Sequence, residues 1–345
     1  MTNRDNLFRI VKRFKNGGLL LMTHKNLFVC IVLMLALPFG SAQAAHKKHS
    51  KHPAQASTPK RVHARLGHKN HIHAVDYQAD NSNLKFNAAG EPDLASAKAL
   101  VMDQATGEII YAKNINTLTP IASVTKLMTA MVMLDAHLPM DETLMVTEED
   151  VDTFKGSSSK LPVGSQLTRA ELLHMAIMSS ENRAASALGR NYPGGLSAFV
   201  AAMNEKARAL GMTSSHFVDP TGLRSENVST ASDLSKMVKA AYNYTQIREV
   251  STSPSQEFRL NTHRGPVNFS NTNTLVRNNS QKWVIGLSKT GYISEAGRCL
   301  VMQAQISGKN VVMVFLDSMG KFSRIGDAER IRKWMEAGNF SPRLG

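Results

Sequence analysis

Cysteine is nearly absent from this chain: Cys30 and Cys299 are the two in 345 residues. No disulfide framework can be built from them, and no zinc-finger spacing is present. Cys30 falls in the apolar run Leu27–Leu37 and would be lost with it if that run is removed, leaving Cys299 alone as a buried structural thiol in an apolar, strand-like stretch. Long hydrophobic runs are scarce too, and Leu27–Leu37 is too short to cross a bilayer as a lasting helix. Aromatic residues make up 6% of the chain. They form no aromatic–basic stripe of the kind that reads nucleic acid, and no internal repeat is found.

What is present begins with charge. The formal net charge is +14, but much of it lies before residue 75, outside any foldable pattern. Leu27–Leu37 is followed by Pro38, Phe39, Gly40 and then Ser41-Ala42-Gln43-Ala44-Ala45, an A-x-A type cleavage signature. Residues 1–44 therefore read as an export signal, with the mature chain starting at Ala45 or His46 and the protein placed in the periplasm. The polar stretch before the apolar core is long, and Met22 opens a more ordinary signal, so translation is expected to start there. An uncleaved anchor is the rival reading. Residues 45–92 read as a disordered linker: His46–His73 holds seven of the twelve histidines, with lysines and arginines and no apolar periodicity. It suits a cationic tether near anionic wall polymers better than a metal site.

Residues 93–338 carry the folding pattern, with a short tail at 339–345. Ala99–Asp103 and Glu108–Ala112 flank a turn at Ala105-Thr106-Gly107 and predict a β-hairpin. Helices are expected over Ser123–Ala136, Thr168–Ser179, Glu181–Tyr192, Gly195–Leu210 and Thr230–Tyr242, the last with a capping box from Thr230 and Asp233. Trp283–Tyr292, Arg298–Ile306 and Asn310–Asp317 read as strands, the last two joined at Gly308-Lys309. A helix over Phe322–Glu336 closes the pattern, its apolar positions Phe322, Ile325, Ala328, Ile331, Trp334 and Met335 at helical spacing. Strands at both ends of a helical middle predict an α/β sandwich: an antiparallel β-sheet flanked by helices, plus a helical subdomain.

Three short motifs carry the chemistry. Ser-x-x-Lys is a common pattern here, found among other places at Ser57–Lys60, Ser123–Lys126, Ser157–Lys160 and Ser318–Lys321. A nucleophile and its base must share a face, which on a helix means a spacing of three or four. Pro59 interrupts the first copy, Leu161-Pro162 follows the third, and Gly320 sits inside the fourth. Only Ser123-Val124-Thr125-Lys126 opens a long apolar helix. Ser-x-Asn occurs at Ser180-Glu181-Asn182 and at Ser225-Glu226-Asn227, where a plain turn or cap is the alternative. Lys289-Thr290-Gly291 occurs once, on a strand, with Gly291 allowing close approach of a ligand backbone.

In the order Ser123-x-x-Lys126, Ser180-x-Asn182, Lys289-Thr290-Gly291, the set resembles the penicillin-recognising serine enzymes, whose fold is β-lactamase-like. The flanking segments Pro120–Ala130, Met178–Ala185 and Asp219-Pro220-Thr221-Gly222-Leu223 resemble the low-molecular-mass D-alanyl-D-alanine peptidases, and most nearly their single-domain endopeptidase branch. The resemblance implies that Ser123 is the acylated nucleophile, Lys126 its base and Ser180 a proton relay. Asn182 would bind the substrate amide, and Lys289 and Thr290 a carboxylate. Ser123 and Tyr292 would supply the oxyanion N–H groups. No metal or organic cofactor is implied. The substrates would be peptidoglycan stem peptides and cross-links, with β-lactams as covalent inhibitors. Only 54 residues follow Gly291 (345 − 291), too few for the second β-rich domain and anchor of the carboxypeptidase relatives, so an endopeptidase is expected and a carboxypeptidase is the alternative. A class A β-lactamase would need a glutamate on a loop between the second and third motifs, and none of Glu205, Glu226, Glu249 and Glu257 has the expected Glu-x-x-Leu-Asn setting. A non-catalytic wall-binding module would be expected to lack Ser123 or Lys126.

Overall fold

The computed structural model describes residues 85–87, 90–278 and 283–338. The export signal, its cleavage point, the histidine-rich stretch and the C-terminal tail lie outside them. Order begins earlier than the composition suggests: Phe86 bridges Pro92, and the Asn87 amide closes the intervening turn on Glu91 at 2.9 Å. The linker expectation is therefore too long at its C-terminal end.

The hairpin strands are β1 (Ser96–Asp103) and β2 (Ile109–Lys113). The Asp103 carboxylate accepts the N–H groups of Ala105 and Thr106 at 2.9 and 3.0 Å, which shapes the turn. A short β3 (Thr119–Pro120) leads to α1 (Lys126–Asp135). Next come β4 (Thr143–Met145), β5 (Gln166–Thr168), α2 (Arg169–Met178), α3 (Asn182–Arg190) and α4 (Gly195–Ala209). They are followed by β6 (Val228–Ser229), α5 (Ala231–Ala241), α6 (Thr245–Thr252), β7 (Ser255–Arg259), β8 (Pro266–Ser270) and α7 (Thr274–Arg277). The chain returns to long strands β9 (Val284–Ile293), β10 (Gly297–Ile306) and β11 (Lys309–Ser318), then α8 (Ser323–Glu336).

One antiparallel sheet, ordered β2-β1-β11-β10-β9, organises the fold, with helices on both faces as the strand–helix–strand pattern predicts. Alternation along the strands sorts two cores. Leu100, Val301, Val312, Val314 and Leu316 face the helical layer of α1 to α6. Val101, Leu300, Val311, Met313 and Phe315 face α8, which meets them with Ala328, Ile331, Trp334 and Met335. Burial on both faces is why these strands read as continuous apolar runs rather than alternating ones. Phe322 departs from the expected apolar stripe: it stands just before α8 and is half exposed.

Local chemistry sets the ends. Thr168 and Glu171 form a reciprocal capping box on α2. Thr230 caps α5 through the Asp233 N–H, but the Asp233 carboxylate is turned away, to the Ser214 N–H and the Ser215 hydroxyl, so only half of the expected box forms. The β10–β11 turn is centred on Ser307 and Gly308, both with positive φ (48° and 78°), one residue earlier than expected.

Candidate active site

Ser123 lies in a single 3-10 turn, Ala122–Thr125, that feeds directly into α1, rather than in the first α-helical turn. The turn is tightly held. Ala122 has φ 48°, and its carbonyl accepts the Thr125 hydroxyl at 2.8 Å. Asn227, wholly buried, receives the Ile121 N–H on its carbonyl at 3.1 Å and donates its amide to Thr125 Oγ1 at 3.2 Å. The second Ser-x-Asn sequence is thus a brace behind the nucleophile. Two glycines let main chains close on the turn. A Cβ on Gly222 would sit 2.0 Å from the Ala122 carbonyl, and one on Gly291 would sit 3.0 Å from the Ser123 nitrogen. What approaches Gly291 so closely is the protein's own backbone at Ile121 and Ser123.

Lys126 is fully buried one step further on. Its Nζ contacts Ser123 Oγ at 3.0 Å, Asn182 Oδ1 at 2.7 Å and the Thr221 carbonyl at 2.7 Å. Burial brings its pKa down to about 7, against the opposing pull of the Asp219 and Glu181 carboxylates. The dominant cause is therefore desolvation. Asp219 shapes the Thr221 corner by accepting the N–H groups of Thr221, Gly222 and Arg224 at 2.5, 2.7 and 3.0 Å.

The second motif faces this group. Ser180 adopts φ 62° between α2 and α3, a conformation that turns its side chain out of both helices. Its Oγ accepts from Lys289 Nζ at 2.8 Å. Lys289, on β9, is itself buried and also bonds the Thr290 carbonyl at 2.8 Å. Burial, then the charges of Lys126 and Arg324, hold its pKa well below the ordinary lysine value. Thr290 Oγ1 pairs with Thr272 Oγ1 at 2.6 Å. Tyr292, the next outward residue, is 56% exposed with the Arg298 guanidinium 4.4 Å from its ring centre. Ser123 and Lys289, 166 residues apart in sequence (289 − 123), are thus brought together with the second motif around one nucleophile.

Sequence reasoning missed several neighbours. The segment Asp152–Lys160 roofs the site: Ser157 Oγ accepts from Asn182 Nδ2 at 2.9 Å, and the Ser159 hydroxyl donates to Glu181 at 2.6 Å. Lys155 pairs with Glu295 in the β9–β10 turn, joining the two walls of the groove. Ser157 is therefore in the site, though not as a nucleophile. Arg324 Nη1 lies 3.5 Å from the Gly291 carbonyl, a further, half-buried cation behind the third motif. Ser157 opens a Ser-x-x-Lys copy set aside as a nucleophile, while Glu295 and Arg324 carry no local motif, because each comes from a distant segment. The other Ser-x-x-Lys copies are excluded or outside: Ser318 is buried against Ser96 Oγ at 2.7 Å, and Ser57–Lys60 lies beyond the described residues. Glu205, Glu226, Glu249 and Glu257 are all exposed and none bonds a site residue, which removes the β-lactamase arrangement. Cys299 is buried and its thiol is pushed up to about 11 by burial, as a structural thiol should be.

The family of S11 peptidases, described as D-alanyl-D-alanine carboxypeptidase, matches residues 85–320. The chain belongs to this family and is a serine DD-peptidase. It is 47% identical over 248 residues to a D-alanyl-D-alanine endopeptidase of Pseudomonas aeruginosa, covering 72% of this chain and 79% of that one. It is 44% identical over 254 residues to a D-alanyl-D-alanine endopeptidase of Escherichia coli, covering 74% and 81%. Among solved structures, the Streptomyces K15 DD-transpeptidase superposes with a TM-score of 0.66 at 29% identity, over 72% of this chain and 99% of that one. The penicillin-recognising fold and the serine DD-peptidase reading drawn from the motifs both hold.

Proposed function

We propose that this DD-peptidase is an endopeptidase that cleaves D-alanyl–diaminopimelate cross-links of peptidoglycan in the periplasm, after removal of residues 1–44. The observation that carries the reading is that two relatives at 44–47% identity, each matched over about four fifths of its length, bear the name endopeptidase. Relatives named carboxypeptidase match at 28–31%.

The site supports a two-step acyl transfer. Neutral Lys126 takes the Ser123 hydroxyl proton as Oγ bonds to the carbonyl carbon of the penultimate D-alanine. The resulting oxyanion is held by the N–H groups of Ser123 and Tyr292. Collapse breaks the C–N bond; Ser180 gives its proton to the departing amine and takes up the one held on Lys126, which returns to its neutral form. Water then adds to the ester with Lys126 again as base, and Ser123 leaves with its proton restored. Asn182 Nδ2 orients the substrate amide, and Lys289 with Thr290 holds a carboxylate on the leaving residue or on a β-lactam. Export is supported by the signal-like segment before Ala45 and is checked by N-terminal sequencing of the periplasmic protein. Incubation with a purified cross-linked dimer and with pentapeptide monomer tests the specificity: the dimer should be cut. Release of D-alanine from monomer with the dimer intact would replace this reading by a carboxypeptidase.

A further inference from the structure

A bound carboxylate needs hydrogens pointed at it, and a threonine hydroxyl has one to give. In the free site Thr290 spends that hydrogen inside the protein: Thr290 Oγ1 donates to Thr272 Oγ1 at 2.6 Å. Thr290 is buried, and Thr272 is half-buried beside it. Among the described residues Thr272 Oγ1 has no other partner, so its own hydrogen is uncommitted. The pair therefore holds two hydrogens and makes one internal bond, which leaves one hydrogen over for a ligand.

Turning that hydrogen toward a ligand takes rotation about two C–O bonds, and no heavy atom needs to move. If Thr290 gives its hydrogen to a carboxylate, its oxygen is free to accept, and Thr272 can donate to it across the same 2.6 Å. A hydroxyl that accepts one hydrogen bond while making another is the stronger donor, because the two bonds polarise each other. A negatively charged acceptor gains most from this.

Thr272 is held firmly enough for the part. Its N–H bonds the Met178 carbonyl at 3.1 Å, at the end of α2 and two residues before Ser180. Asn271, buried on one side of it, donates its amide to the Ser251 and Ser253 carbonyls at 3.0 and 2.8 Å. Asn273, buried on the other side, gives its N–H to Asn271 Oδ1 at 2.9 Å and accepts the Leu275 N–H at 3.0 Å. These bonds make residues 271–273 a fixed arch that ties the helix end before the second motif to the strand of the third.

We propose that Thr272 is a positioning residue of the carboxylate subsite: when a carboxylate binds, the Thr272–Thr290 bond reverses, Thr272 donating to Thr290 and Thr290 to the ligand. The ligand is the carboxylate of a stem peptide's leaving residue or of a β-lactam. The inference rests on Thr290 facing that carboxylate, as in the proposed reaction, and adds to it a residue from the connection between β8 and α7.

The test is the second-order rate of acylation of the full-length protein by a fluorescent penicillin and by its amidated analogue. Thr272→Val keeps the shape and removes the hydroxyl. It should slow the anionic compound about five- to tenfold, the range for one lost hydrogen bond, and the amidated one by less than about twofold. Thr272→Ser restores the hydroxyl and should recover most of the rate, which separates lost bonding from a disturbed fold. On a Thr290→Val background, Thr272→Val should add no further loss, since the group it supports is gone. Wild-type rate in Thr272→Val, equal slowing in the Ser variant, equal slowing toward both compounds, or multiplying losses in the double variant would each overturn the proposal. Failure of the underlying reading looks different: Thr290→Val alone would acylate with the anionic penicillin at the wild-type rate, and reading and proposal would fall together.

Discussion

Lys289 Nζ and Ser180 Oγ lie 2.8 Å apart, and that bond joins the strand wall of the groove to the helix–helix corner opposite. Lys289 donates, so the Ser180 hydroxyl keeps its own proton to give away. The same lysine is buried beside Lys126, and two buried cations so placed do not both hold a full charge at neutral pH.

An anionic ligand should reverse this. A carboxylate arriving at Lys289 raises its pKa, so binding should take up a proton, and affinity should fall as pH rises above the pKa of the free site. Calorimetry of a penicillin binding to the Ser123→Ala protein, in two buffers of different ionisation enthalpy, reads the proton directly. Lys289→Ala should weaken acylation by anionic β-lactams by roughly 10- to 150-fold, the range for a hydrogen bond to a charged group. An equal loss with an amidated analogue would assign Lys289 to tuning Lys126 instead.

Lys126 sets the pH dependence of acylation. With its pKa near 7, the base is protonated below that value, and the acylation rate should fall about tenfold per pH unit on the acid side and level off above. Stability has the matching sign. Between about 7 and 10.5 the unfolded chain holds a proton on this residue that the folded chain lacks, so folding gains as pH rises, by up to ~1.4 kcal/mol per pH unit. Denaturant melts of the wild type against Lys126→Met should show that difference growing across this window. A pH-independent difference would place the pKa elsewhere.

Ser123→Ala should abolish covalent labelling by a fluorescent penicillin. Ser318→Ala and Ser225→Ala should retain it, because Ser318 is a buried strand-end residue bonded to Ser96 and Ser225 bonds Glu226 beside the brace residue Asn227. Mass spectrometry of the labelled peptide locates the adduct.

Gly222→Ala should be far more damaging than Gly107→Ala. Both glycines have φ 79°, but a Cβ at Gly222 meets the Ala122 carbonyl at 2.0 Å, whereas one at Gly107 meets nothing within 4 Å. The Gly107 change should cost the left-handed penalty alone, about 1 to 2 kcal/mol. The Gly222 change should exceed ~3 kcal/mol and disturb Ser123 as well. Thermal melts paired with labelling rates measure both.

The long strands were legible because burial on both faces makes them unbroken apolar runs, and α2 because Thr168 and Glu171 announce its start. The hairpin of β7 and β8 was not: of its ten residues only Phe258 and Phe269 are buried, too little for a periodic signal. The named catalytic residues were legible because their chemistry demands local motifs. Thr272 and Arg324 were not, since each reaches the site from a segment whose own sequence has no reason to mention it, and Ser157 and Asn227 stood in motif copies whose place beside the site only the fold reveals. Gly291 shows the remaining limit: its need for close approach could be read, but not which backbone approaches.

The ion pair between Lys155 and Glu295 closes the roof segment onto the β9–β10 turn, so loop, pair and strand together form a hoop over one end of the groove. A free stem peptide or an antibiotic has loose ends and can be threaded beneath a hoop. A cross-link is tied to a glycan strand at both ends and has no end to thread. The cross-link proposed above as substrate could be seated beneath the hoop only with the Lys155–Glu295 pair opened. Both charges reach solvent, so dissolved salt weakens the clasp.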